Sequence, residues 1–187
     1  MPALQRSWTA SEVRALIDAN PLSTPRYELV DGDLLVTPAP RLLHQEVVAV
    51  MLGVLRAYLK VEPAGNALAS PSDVELEPEF LSQPDVFVVP PDEWRRVRLE
   101  RIVRALVLAV EVLSPSSAGH DRLRKRPAYQ RNVPEYWIVD LDARLVERWR
   151  PADERPEILT AMLEWQPLGA RSPLKIDLSS FFAEVLD

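Results

Sequence analysis

The sequence has no cysteine, which excludes disulfides and thiolate metal ligation and makes the cytosol the expected compartment. Glycine is scarce and scattered: Gly32, Gly53, Gly65, Gly119 and Gly169 cannot build a phosphate-cradling loop. No apolar run stands out as a membrane span, and Met1 to Thr9 lacks the apolar core of a signal peptide, so no membrane partner is expected. A basic surplus is also missing. The net charge is −6, so the chain as a whole lacks the footprint of a nucleic-acid binder. Lysine is nearly absent, with only Lys60, Lys125 and Lys175 among 22 basic residues. The arginine bias and 18 prolines fit a heat-adapted protein, or equally a GC-rich genome.

What is present suffices for one large domain. The 187 residues are 47% hydrophobic, ample for a core and against disorder. The stretch around which the rest is organised is Leu106 to Leu113, closed by Ser114-Pro115-Ser116. A Val- and Leu-rich run of this kind reads as a strand buried on both faces. Glu111 does not belong in it. An ionised carboxylate in an apolar interior must be paired, neutralised or metal-bound. Asp85 sits in similar company, between Pro84 and Val86-Phe87-Val88-Val89. Each of the two acids is expected to be desolvated, with a raised pKa.

In chain order, Thr9-Ala10-Ser11-Glu12 reads as a capping box ahead of a short helix with Val13, Leu16 and Ile17 inward. Tyr27 to Thr37 reads as a hairpin turning at Asp31-Gly32 with a type I′ turn. Glu28 on its first strand is as readily an exposed edge carboxylate as a site residue. Leu43 to about Lys60 is the longest helix, with His44 in its first turn in either a structural or a catalytic role. Short strands are expected at 66–69 and 74–76, and a short helix around Trp94. A helix spans Asp121 to Arg131, with Ser116 or Ser117 as its cap. A strand covers Glu135 to Asp140, and a half-exposed strand covers Arg144 to Arg150. Further strands at 158–162 and 165–168 precede a closing helix near Leu178 to Leu186.

The chemistry concentrates in the middle third. Two carboxylates on neighbouring strands make a hard-oxygen site suited to Mg²⁺ or Mn²⁺. Asp121, Lys125 and Tyr129 fall at i, i+4 and i+8, on one helix face. Lys125 either reaches the acids from there, as a base or point charge, or makes an ordinary surface pair with Asp121. Arginines cluster before the central strand (Arg95, Arg96, Arg98, Arg101, Arg104) and after it (Arg122, Arg124, Arg126, Arg131). They form either solvated surfaces or a basic rim for a phosphate backbone, with Arg95, Arg96, Arg98, Arg122 and Arg124 as the candidate contacts.

The ordered set Tyr27-Glu28-Leu29-Val30-Asp31-Gly32, His44, Gln83-Pro84-Asp85, Glu111 to Ser116, Asp121, Lys125, Tyr129 and Glu135 to Asp140 resembles the Uma-type restriction endonuclease family of the PD-(D/E)XK superfamily. The likeness runs from about Tyr27 to Arg150, the core of a single domain over residues 1–187. It implies an α/β restriction-endonuclease-like fold: a mixed central sheet flanked by helices, here with extra N- and C-terminal strands. It also implies Mg²⁺-dependent hydrolysis of phosphodiester bonds in nucleic acid, DNA foremost, and allows a homodimer. By the same resemblance Asp85 and Glu111 are the metal-binding catalytic acids, and Glu28 is an additional acid. Leu113 stands where the superfamily has its lysine, and Lys125 is the migrated replacement. The competing expectation is a degenerate nuclease-fold module that binds nucleic acid or protein without cutting.

Overall fold

A computed structural model describes residues 7–186, apart from 21, 23, 99, 101 and 115–117. The Pro115-Ser116 strand stop, the Ser116/Ser117 cap and Arg101 therefore lie outside the described residues. The elements in order are α1 (Ala10–Ala19), β1 (Arg26–Val30), β2 (Asp33–Thr37), α2 (Leu42–Val61), β3 (Asn66–Ala69), β4 (Asp73–Glu77), β5 (Phe80–Ser82), β6 (Val86–Val89), α3 (Pro91–Val97), β7 (Ile102–Val103) and β8 (Leu108–Val112). Then come α4 (Ala118–His120), a π-helical turn (Asp121–Lys125), α5 (Arg126–Asn132), β9 (Glu135–Asp140), β10 (Leu145–Trp149), β11 (Glu157–Leu159), β12 (Met162–Trp165), β13 (Leu174–Asp177) and α6 (Leu178–Leu186).

Local signals account for the first elements. The Thr9 hydroxyl accepts from Glu12 N at 3.3 Å and Glu12 Oε2 accepts from Thr9 N at 2.9 Å, which completes the capping box of α1. Asp31 and Gly32 both have positive φ, 51° and 77°, as a type I′ turn requires.

The expected mixed sheet is present, but divided. One sheet runs β2-β1-β5-β4-β7, the other β11-β10-β9-β8-β6-β3, and β12 and β13 form a separate pair. In the six-stranded sheet β8 is central, antiparallel to β6 and parallel to β9. All five residues of β8 are buried. Side-chain alternation splits them between two cores. Leu108, Val110 and Val112 face a layer built from α2, α6 and the β12–β13 pair, with Met51, Leu55, Trp165 and Phe181. Ala109 and Glu111 face the other way, toward the five-stranded sheet and α5, where Phe87, Tyr129, Tyr136 and Ile138 pack. A carboxylate is thus delivered into the second core by strand parity alone.

Three expectations need correction. β10 is not half exposed; four of its five residues are buried. Glu147 is covered by an ion pair with Arg122, and Arg148 by one with Glu157. The C-terminal strands are shifted: the expected 158–162 strand is split between β11 and β12, and 165–168 is not a strand because Pro167, Leu168 and Gly169 (φ 93°) form a turn between β12 and β13. By length and composition α2 is apolar enough to cross a membrane, against the expectation. Its apolar stripe, Val47, Met51, Leu55 and Leu59, is spent on the core beneath the sheet.

Candidate active site

β6 and β8 pair with Val86 opposite Val110, so one further step sets Asp85 opposite Glu111. Asp85 Oδ2 accepts a 2.9 Å hydrogen bond from the Val112 amide, which closes that end of the ladder. β1 brings Glu28 to the same place, where Oε1 accepts from Gln83 N at 2.8 Å. The helical segment that follows β8 brings Asp121 and Lys125. It is not the continuous α-helix expected over 121–131, since Asp121 to Lys125 form a π-helical turn before α5 begins. π-Bulges of this kind occur frequently at functional sites. The turn places Asp121 and Lys125, both buried, over the acids.

Glu28, Asp85, Glu111 and Asp121 are each 3% exposed or less. Four ionised carboxylates cannot sit together there without counter-charges. Lys125 supplies one: its Nζ lies 2.9 Å from Glu28 Oε2, 3.2 Å from Glu111 Oε1 and 3.2 Å from Asp121 Oδ1. Arg26 supplies another, with Nη1 2.8 Å from Asp85 Oδ1. Beneath them lies an aromatic floor. Tyr129 stacks on Tyr136 with ring centroids 4.6 Å apart and meets Phe80 edge-on. The Tyr129 hydroxyl bonds Ser82 Oγ at 2.7 Å and donates to Glu111 Oε1 at 3.4 Å.

The two central acids titrate in opposite directions. Burial pushes Glu111 well above the usual carboxylate range; Asp121, Asp85 and Glu28 push it further, and Lys125 opposes them. Burial also raises Asp85, but His44, Arg26 and the Val112 amide outweigh it, and its pKa ends below the ordinary value. The raised pKa expected for Asp85 is therefore wrong, because the sequence hid three donors. Since Asp85 is ionised, His44 Nε2, 3.0 Å from Oδ2, donates to it. Lys125 reaches the acids, and of its two expected roles the surroundings suit the point charge. Burial alone would lower its pKa, yet Glu111, Glu28 and Asp121 drive it well above the usual value. With these three carboxylates as partners it is held as an ammonium.

The charged groups Arg26, Glu28, His44, Asp85, Glu111, Asp121 and Lys125 open onto one cavity of about 490 Å³, whereas Tyr129 stays beneath them and does not line it. Leu113 is on its wall. The arginine clusters behave differently from one another. Arg122 lines the cavity but is tied to Asp140 and Glu147, and Arg124 bonds Asp33 Oδ2 at 2.6 Å. Arg95 and Arg96 are not brought to the cavity. They ride on α3, which begins at the far end of β6 from Asp85, in ion pairs with Asp92, Glu93 and Glu100. Arg98 caps the same helix and is exposed. The residue that sequence reasoning missed is Arg26. The period of two on β1 already put it on the face of Glu28, two residues on.

Among the described residues no group of three or more histidine, aspartate or glutamate side chains is disposed to hold a metal. The donor chemistry nonetheless fits Mg²⁺ or Mn²⁺. Two hard carboxylates on adjacent strands border a cavity with room for water, and Mg²⁺ keeps several of its waters.

The fold is shared with a solved structure, a putative nuclease belonging to DUF820 from Anabaena variabilis. The two are 20% identical, with a TM-score of 0.76 over 91% of this chain and 97% of that one. No curated protein matches this chain. The family model Uma2, described as putative restriction endonuclease, matches residues 13–179. The chain belongs to that family.

Proposed function

We propose that this protein is a Mg²⁺-dependent endonuclease that hydrolyses phosphodiester bonds of DNA at the 490 Å³ cavity. The observation that carries this reading is the convergence of Asp85, Glu111 and Lys125 from three separate chain segments on that one cavity. Asp85 and Glu111 would hold the ion. Its chemistry would be charge neutralisation at the phosphate and a more acidic water. The protein's own part follows from the contacts. Lys125 holds Glu28, Glu111 and Asp121 in place and contributes one fixed positive charge beside them. His44 and the Val112 amide fix the orientation of the Asp85 carboxylate. The fully buried Tyr129 and Tyr136 keep bulk water from the inner side of Glu111, and Leu113 adds an apolar wall to the cavity, so charges there act in a low dielectric.

Family membership supports the nuclease class, and the hard-oxygen donors support the choice of ion. The test is incubation of plasmid DNA and of single-stranded RNA with wild type and Asp85→Asn, in Mg²⁺, Mn²⁺ and EDTA. Metal-dependent cutting of DNA that disappears in Asp85→Asn is expected. Cutting that survives in EDTA or in the variant would refute the reading.

A further inference from the structure

Asp85 has two oxygens, and the donors around it divide them unequally. Oδ2 takes two hydrogen bonds that the fold supplies, from His44 Nε2 at 3.0 Å and from the Val112 amide at 2.9 Å. The amide belongs to the central strand and cannot move without breaking the sheet. Oδ1 carries a single side-chain donor, Nη1 of Arg26 at 2.8 Å. An ion shared with Glu111 therefore has to meet Asp85 through Oδ1, the atom that the guanidinium bonds. Two cations cannot both take that edge: their mutual repulsion in a buried site is large.

Arg26 also has somewhere to go. The same Nη1 donates to the Gln83 carbonyl at 3.2 Å, an anchor that survives loss of the Asp85 bond. The side chain borders not only the main cavity but two neighbouring ones, of about 350 and 190 Å³. It lines all three, so a change of rotamer meets open space.

We infer that Arg26 is a built-in competitor for the divalent ion, a positioning residue whose guanidinium and the metal contend for Oδ1 of Asp85. This rests on the metal reading proposed above and adds to it a residue that sets how tightly the ion is held. Arg26 neutralises Asp85 until the ion does so, which spares the fold an unpaired buried carboxylate. In exchange, every binding event must break a charge-assisted bidentate-capable contact.

The experiment is calorimetric titration of Mn²⁺, and separately Mg²⁺, into wild type, Arg26→Gln, Arg26→Lys and Asp85→Asn. Arg26→Gln should bind Mn²⁺ at least about tenfold more tightly, which corresponds to about 1.4 kcal/mol. Arg26→Lys keeps a competing charge and should stay within about threefold of wild type. Equal or weaker binding in Arg26→Gln would overturn the inference. Should that variant fail to fold, the wild type gives the answer by itself. Its Arg26 guanidinium NMR signal should shift in step with Mg²⁺ occupancy, and a signal indifferent to Mg²⁺ would overturn the inference equally. Asp85→Asn separates the two ideas. Binding lost there but unchanged in Arg26→Gln sinks the Arg26 role alone. Binding retained in Asp85→Asn sinks the metal reading on which it rests.

Discussion

Replacing Lys125 by methionine removes an ammonium while keeping a side chain of similar length, and it leaves Glu28, Glu111 and Asp121 facing one another. All three lie within 3.2 Å of that nitrogen, and none is more than 2% exposed. Removing one partner of a buried ion pair costs about 3–5 kcal/mol, because the other partner stays buried and uncompensated. In a chain of this size each kcal/mol shifts the thermal midpoint by about 2–4 °C, so Lys125→Met should melt about 6–20 °C below wild type near pH 8. An ordinary surface pair with Asp121, one of the two readings the spacing allowed, would lose almost nothing here; the three buried contacts reverse that. The penalty should also depend on pH. Glu111 already has a folded pKa above its unfolded one. Loss of Lys125 raises it further, so the folded state binds more protons than the unfolded state above the ordinary carboxylate pKa. Stability of the variant must then fall as pH rises through that window and recover toward about pH 4.5. Urea denaturation of both proteins in EDTA, at about pH 5 and pH 8, measures both effects. A difference under about 1 kcal/mol at the higher pH would refute the buried network, since that is the range of exposed pairs.

Asp85 gives the opposite dependence. Its pKa is depressed in the folded state, so it contributes stability above its unfolded pKa that is lost as pH falls. The stability difference between wild type and Asp85→Asn should therefore shrink on acidification below about pH 4, as acid titrations followed by circular dichroism would report. Changing Arg95, Arg96 and Arg98 together to alanine should leave DNA affinity and its salt slope unaltered, because α3 is remote from the cavity; a slope reduced by about three units would reinstate them as phosphate contacts. Leu55→Ala, at a fully buried position under the sheet, should cost about 2–5 kcal/mol in denaturant without altering metal affinity.

The strands and helices that reported themselves in the sequence are those whose signals are local. The capping box at Thr9, the Asp31-Gly32 turn and the apolar run of β8 each follow from a few adjacent residues. Glu111 was conspicuous because a charge in an apolar run has no local explanation. What stayed hidden depends on distant partners. The ionised state of Asp85 is set by His44, 41 residues away in sequence, and by Arg26, 59 away. The raised pKa of Lys125 needs Glu28 from another sheet. The π turn leaves no clear trace in composition, so Asp121 to Arg131 read as plain helix. The burial of β10 was obscured because its charged residues are covered by ion partners that periodicity cannot reveal. The arginines before β8 show the converse: a cluster in sequence is not a cluster at the site.

Metal-dependent phosphodiester hydrolysis by Asp85 and Glu111 can be tested in a single experiment. The most direct measurement is the single-turnover cleavage rate of a defined DNA duplex as Mg²⁺ is raised, for wild type and Glu111→Gln, both shown to be folded. The wild-type rate should saturate with Mg²⁺, and the rate in Glu111→Gln should be lower by at least about a thousandfold, the scale expected when several kcal/mol of transition-state stabilisation are lost. Equal rates in the two proteins, or no cleavage by wild type at any Mg²⁺ or Mn²⁺ concentration, would contradict it.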